Sequence, residues 1–285
     1  MKGFIQSVSA FAIIVLGSTG AAYSQTPVVA AGGVLNAASN DKAGQVAPGS
    51  LISIFGTDLA SSLTVADSIP LSTSLSSVSV SINNIPAPLL FVSTGQINAQ
   101  LPWQAVPVLP AGTNGTAQVV VTRNGVASAP VSFPVTAASP GIFSTQFGVG
   151  QAIAYGNSDG AYAAPVGAIP GATSHPAKIN DPATLVILAT GLGPVDTTVK
   201  DGDVPSVVTS KTLTTPTVLV GGVPAQVVFS GLVGRDASGK ALGFVGVYQI
   251  NIIIAPGTPT GNTVPLQIQM NGITSTDKVT IAVSN

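Results

Sequence analysis

Few side chains in this sequence could carry chemistry, and each has a plainer use beside the chemical one. The only histidine sits at Ser174-His175-Pro176. A Ser-His-Asp hydrolase built on this chain must use it as its base. No Gly-x-Ser-x-Gly elbow leads into a helix to supply the nucleophile, so His175 reads as a solvated loop residue. Glutamate is absent and all 10 acids are aspartate, which leaves only Asp pairs for the opposed carboxylates of a glycosidase. The densest acids are Asp196, Asp201 and Asp203, on the loop after the strand expected at Leu185–Thr190. Three close carboxylates with loop carbonyls could chelate Ca²⁺, which takes roughly six to eight oxygens in flexible geometry. Lys200 intervenes, and Asp-Gly-Asp is also a common turn composition. Trp103, the one tryptophan, follows Pro102 at an expected strand end. It could stack on a sugar face, or it could pack at a unit end or between two units, since an indole buries much apolar area. Gln96, Asn98, Gln100, Gln249, Asn251, Gln267 and Gln269 make amide-rich strand faces that could bind glycans or simply meet water. Asn98 and Asn251 are expected to tie a neighbouring loop through side-chain-to-backbone bonds.

The elements that must position these residues repeat. Leu51–Ala60 (LISIFGTDLA) returns as Thr184–Gly193 (TLVILATGLG), and Asn84–Ser93 returns as Gly222–Gly231. Gln96-Ile97-Asn98 returns as Gln249-Ile250-Asn251, and Asn124-Gly125 as Asn271-Gly272. The matches keep their order at unequal spacing, which is a duplication with loops of different length. Apolar and polar residues alternate in Val78–Ile82 and Leu266–Met270, the period of half-buried antiparallel strands. The denser runs Val119–Val121 and Ile252–Ile254 predict strands covered on both sides. Each Asn-Gly predicts a type I′ hairpin turn, which needs two positive φ angles. No window beyond the first residues shows sustained helical periodicity. The fold class is all-β, two tandem immunoglobulin-like β-sandwiches: residues 25–136 form the first and 137–285 the second. The second opens with a hairpin about Asn157–Gly160 and an irregular loop at 165–182. Tyr155, Tyr162, Phe143 and Phe147 are expected to pack this joining segment onto a sandwich.

Composition narrows the function. Charged residues make up 7% of the chain, against about 25% in ordinary globular proteins. Nine basic residues, two of them Arg, give a net charge of −1, without the clustered positive footprint that nucleic acid demands. Cysteine is absent, which excludes disulfides and thiolate metal sites. Residues 1–24 read as a signal peptide: Lys2, the apolar run Val8–Leu16, and Ala22-Tyr23-Ser24 before Gln25. That run is too short to span about 30 Å of hydrocarbon, and no later stretch reaches that length, so no membrane span is expected after cleavage. The chain is expected to be secreted or held at the cell surface.

Five runs carry a resemblance. PGSLISIFGTDLA, VSVSINNIPAPLLFVSTGQINAQLPW and ILATGLGPVD, with SPGIF and VGVYQINIIIAPG, resemble the C-terminal domain family of secreted Solibacter and related Acidobacteria proteins. The resemblance covers about Val34 to Val283. It implies secretion and brings no catalytic residues. Each half is also similar to the IPT/TIG group of immunoglobulin-like domains. Pro48-Gly49, Gly56, Asn84–Ala87 and Leu101-Pro102 fit that group in the first half, and Gly191, Gly222–Ala225 and Ile254–Pro256 in the second. The second half departs by inserting Ala255 and by a longer Gly231–Gly246 loop. Together these point to a non-catalytic structural, adhesion or interaction module whose partner is a protein or a polysaccharide. The alternative is a carbohydrate-binding module using Trp103. A hydrolase would need His175 within reach of a serine and an aspartate in a cleft.

Overall fold

Apolar side chains at every second position give each strand one face to bury, and here four sheets bury those faces in two pairs. A computed structural model describes residues 25–42, 44–106, 109–110 and 112–285; the expected signal peptide lies outside the described residues. Among them all regular structure is β, and no helix is long and apolar enough to cross a membrane. The first sheet runs in the order Val28–Asn36, Leu51–Thr57, Gln96–Gln100, Leu89–Val92, Thr64–Val65. The second centres on Asn114–Arg123, flanked by Val78–Ile82 on one side and by Val126–Ala127 and Val131–Thr136 on the other. Ile52, Ile54 and Ile97 from the first meet Val80, Ile82, Val119, Val121 and Phe133 from the second in one core. The third sheet holds Ala154–Gly156, Leu185–Thr190, Tyr248–Ile253, Gln226–Val233 and Thr209–Lys211 in that order. The fourth centres on Gly261–Met270 between Lys278–Ser284 and Thr217–Val220. Their facing residues, among them Ile187, Ile250, Val218, Ile268 and Ile281, make a second core. Each such fully buried aliphatic side chain contributes about 1.5–3 kcal/mol.

The duplication is structural. Leu51–Thr57 pairs antiparallel with Gln96–Gln100 through Ile54 opposite Ile97, and Leu185–Thr190 pairs with Tyr248–Ile253 through Ile187 opposite Ile250. The strand beyond is bulged in both copies, between Leu89 and Phe91 in one and between Val227 and Phe229 in the other. Both Asn-Gly turns have the expected left-handed pair of angles, with φ of 49° and 80° at Asn124-Gly125 and 50° and 80° at Asn271-Gly272. Just beyond each turn a serine hydroxyl stands in for a sheet carbonyl. Ser128 Oγ accepts the Val121 N–H at 3.0 Å, and Ser275 Oγ accepts the Ile268 N–H at 3.1 Å.

Three local expectations are corrected. Val119–Val121 and Ile252–Ile254 are not covered on both faces; their burial alternates, because each sheet has one partner sheet and one open face. Asn98 and Asn251 do not tie loops. Each accepts the side-chain amide of the glutamine two residues earlier, at 2.8 Å in both copies, since i and i+2 share a strand face. The 165–182 loop is not wholly irregular. Ser174–His175 pairs parallel with Tyr162–Ala163, and Ala177–Lys178 pairs parallel with the end of Lys278–Ser284. The hairpin before it forms as expected, with Tyr155 opposite Tyr162 and their rings edge to face at 6.4 Å.

Candidate functional site

The chemistry-bearing residues gather in two places: where the two sandwiches meet, and beside the 165–182 loop. At the meeting point, Pro102 ends the Gln96–Gln100 strand and aims Trp103 across the joint. Gly49, at φ 78°, lies directly under the indole, and a Cβ there would fall well inside 3.0 Å of ring atoms Cη2, Cζ2 and Cζ3. The ring packs onto the second core, and its Nε1 is buried without an acceptor. Its edge lines a hollow of 290 Å³ along Pro194–Val199. Polar groups finish the joint. The Trp103 N–H donates to Asp201 Oδ1 at 2.9 Å. Gln100 donates from Nε2 to the Gly49 carbonyl at 3.3 Å and accepts the Gly202 N–H at 2.6 Å. Thr190 Oγ1 accepts the Leu51 N–H at 3.0 Å and donates to the Gly246 carbonyl at 2.7 Å. Leu71, Val204 and Val245 form a small apolar cluster beside these bonds.

The three aspartates offered for calcium are not brought together. Asp196 Oδ1 accepts the Ser210 hydroxyl at 3.1 Å and the Lys211 N–H at 3.0 Å. Asp201 faces Trp103, where burial raises its acid against the pull of the Trp103 N–H. Asp203 pairs with Arg235 at 2.5 Å. The loop reverses at Gly202, φ 77°, so neighbours in sequence point to different partners. Among the described residues no three His, Cys, Asp or Glu side chains stand together as metal ligands.

His175 lines a cavity of 460 Å³ with Asp159, Ser158, Lys178, Asp181 and Thr184. It is not simply solvated: Nε2 lies 2.8 Å from Asp159 Oδ2, and Nδ1 lies 3.0 Å from the Pro176 carbonyl. Both neighbours are acceptors, so the arrangement favours a ring carrying both protons. Its pKa is raised, first by the Pro176 carbonyl and then by Asp159, while backbone and histidine donors hold the Asp159 acid low. A general base needs one ring nitrogen free to accept from a nucleophile. Here each nitrogen faces an acceptor, Asp159 Oδ2 or the Pro176 carbonyl, and neither contacts a serine hydroxyl. His175 is a clasp between the loop and the Asn157–Gly160 turn.

Sequence reading passed over two further features. An apolar groove of 800 Å³ opens between the sandwiches, lined by Leu51, Ile69, Leu90, Phe143 and Val245, with Phe244 66% exposed at its rim. Tyr248 is fully buried and donates its hydroxyl to the Gly193 carbonyl. Burial raises its pKa. Its place directly before the repeated Gln-Ile-Asn was the signal available for it.

This order of a Pro-Gly turn at Gly49, a Gly-ended strand and a Pro-ended strand at Pro102 can be set beside known families. Residues 40–136 match the family model of the IPT/TIG domain. The matched span is the body of the first sandwich, including Gly49 and Trp103. No curated protein matches the chain. Among solved structures, the extracellular region of plexin A4, domains 1 to 10, aligns with 94% of this chain at 11% identity and a TM-score of 0.23. This chain spans only 16% of that one. Domains 5–6 of the S-layer protein SbsC align with 91% of this chain and 99% of their own at 14% identity and a TM-score of 0.22. Scores this low carry no argument about the task of the present chain.

Proposed function

We propose that the chain is exported through residues 1–24 and works, as units 25–136 and 137–285, as a rigid non-catalytic structural or interaction module at the cell surface. One observation carries this reading: the joint between the sandwiches is built rather than merely touching. An indole seated on a glycine, a glutamine bridging Gly49 and Gly202, and a threonine bridging Leu51 and Gly246 leave the units little freedom to swing. A fixed angle suits display of end loops or strand edges to a protein or polysaccharide. The IPT/TIG match of the first sandwich supports it, as does the resemblance to secreted Acidobacteria proteins. The test is small-angle scattering with calorimetry on residues 25–285. One rigid shape and one coupled unfolding transition are expected. Two independent transitions with a spread of inter-unit angles would sink the reading.

A second reading, carbohydrate binding, draws on the hollow at the Trp103 edge. Tryptophan fluorescence separates the two, because one tryptophan gives an unambiguous signal. Blue emission unmoved by soluble polysaccharides is the expected result. Red emission that shifts saturably with one glycan would make the hollow a sugar site.

A further inference from the structure

The third sheet repeats the strand order of the first and then continues past it. Where the first sheet stops at Val28–Asn36, the third reaches the matching strand Ala154–Gly156 and adds Tyr162–Ala163 and Ser174–His175. The duplicated scaffold has no need of this strip, and function on a shared fold sits in such additions. The strip, the Asn157–Gly160 turn and the turn at Asp181 close the 460 Å³ cavity against Leu185 and Ile254. That volume lies within roughly 300–1,000 Å³, the ordinary range of ligand pockets. The cavity is remote from the joint. Leu185–Thr190 starts beside it and ends where Thr190 bonds Leu51, and six residues of strand set those ends roughly 17 Å apart.

The cavity wall is strained. Asn180 and Thr184 hold φ of 59° and 64° on either side of Asp181. Thr184 is the one β-branched residue with positive φ among the described residues. Strain of this kind collects at ligand clamps. The lining has two parts. Ala161, Ala163, Leu185 and Ile254 are buried side chains that give it an aliphatic floor. Asp159, Asp181, His175, Lys178 and Ser158 give it polar groups of both signs. Backbone donors preset both carboxylates: Asp159 Oδ1 accepts the Ala161 N–H at 3.0 Å, and Asp181 Oδ1 accepts the Ala183 N–H at 2.9 Å. Each carboxylate keeps acceptor capacity beyond those bonds.

These groups restrict what can enter. Two carboxylates repel a phosphate or an organic acid. Lys178 and the protonated His175 repel an amine. A wholly apolar molecule would strip water from charged groups and return no hydrogen bonds. A neutral molecule with hydroxyls along its edge and C–H groups on its face suits both parts of the lining. The carboxylates accept from its hydroxyls, Lys178 and Ser158 donate to its oxygens, and its C–H face rests on the aliphatic floor. We propose that this cavity binds a neutral sugar, one ring or two of a glycan. The site is distinct from the Trp103 hollow. It does not require a rigid joint, and its failure leaves the display reading standing.

The test is proton NMR of the single imidazole in residues 25–285. The chain is titrated with the methyl glycosides of glucose, galactose, mannose, xylose and N-acetylglucosamine, and with cellobiose. Inorganic phosphate, ethylamine and hexanol are the charged and apolar probes. At least one sugar is expected to move the His175 resonances saturably, with a Kd of about 1 mM, the order for a ligand of about a dozen heavy atoms. The other probes should give no saturable shift, and Trp103 emission should stay unmoved throughout. Lys178→Ala and Asp181→Asn should each weaken that sugar about tenfold. Melting curves should change little, because Lys178 is exposed and asparagine keeps an acceptor for the Ala183 N–H. If Asp181→Asn fails to fold, Lys178→Ala decides alone. The proposal is overturned if no sugar moves the imidazole, if phosphate, ethylamine or hexanol moves it saturably instead, or if the sugar shift survives the substitutions. A sugar that shifts Trp103 emission but not His175 overturns it too, and places the sugar in the hollow.

Discussion

Replacing Gly49 by alanine tests the joint most directly. The residue sits at φ 78°, where a Cβ costs about 1–2 kcal/mol. The same Cβ would land well inside 3.0 Å of three Trp103 ring carbons, so the indole must retreat by about an ångström from a packed position. Such overpacking costs about 1–3 kcal/mol. Together these give about 2–5 kcal/mol, or a Tm lower by roughly 5–15 °C for a chain of this size. The two parts separate in a double-mutant cycle. In a Trp103→Ala background the ring is gone and only the backbone part remains, so Gly49→Ala should then cost about 1–2 kcal/mol. The coupling expected between the two positions is therefore about 1–3 kcal/mol. Chemical denaturation of the four proteins measures it, and the emission of Trp103 should redden in Gly49→Ala. An equal cost of Gly49→Ala in both backgrounds would refute the seating of the ring on the glycine.

Tyr248→Phe removes the donor of the buried Gly193 carbonyl and should cost about 1–3 kcal/mol in urea melts with no change of fold; a neutral result would mean another donor reaches that oxygen. Thr184 holds φ 64°, poor for a β-branched residue, and its Oγ1 is buried without a partner. Thr184→Gly should therefore raise stability by about 1 kcal/mol, and a loss of stability would show that the hydroxyl is bonded. The His175–Asp159 clasp should depend on pH from both sides. The histidine pKa is raised, so its contribution is full below about 6.5 and fades as pH rises through the raised value. The aspartate pKa is lowered, so its contribution is present above about 4 and fades as pH falls through the lowered value. The pair is half exposed and should contribute under about 1 kcal/mol. Proton NMR of the single imidazole is the check: its midpoint should lie above 6.5 and fall in Asp159→Asn, and an unshifted wild-type ring would dismiss the clasp.

How far the sequence could be read depended on how local each cause is. Alternation in Val78–Ile82 and the Asn-Gly pairs act within a few residues, so strands and turns were legible, and the internal repeat extended them to paired sandwiches. The site was less legible. Asp196, Asp201 and Asp203 share a loop, which suggested chelation, but the backbone reversal at Gly202 sends them to Ser210, Trp103 and Arg235. Trp103 was legible as the residue to watch, yet its seat on Gly49 was not. Gln100 and Gly202, or Asn36 and Ser139, meet across about a hundred residues, and that meeting is set by how two finished sandwiches dock. The clasp of His175 was missed because Asp159 lies in a different turn, brought near only by the parallel pairing of Ala163 with His175.

The duplicated turns have a consequence for how the chain is made. Two copies of one strand plan on one polypeptide invite exchange, since a strand of either could complete the sheet of the other, a known failure of repeated domains. Each Asn-Gly turn lets neighbouring strands find one another in about 1–10 μs. Synthesis at roughly 5–20 residues per second leaves seconds between the emergence of one copy and the next. The early copy therefore closes on itself before its twin exists, and the strand plan that the two share becomes harmless by timing.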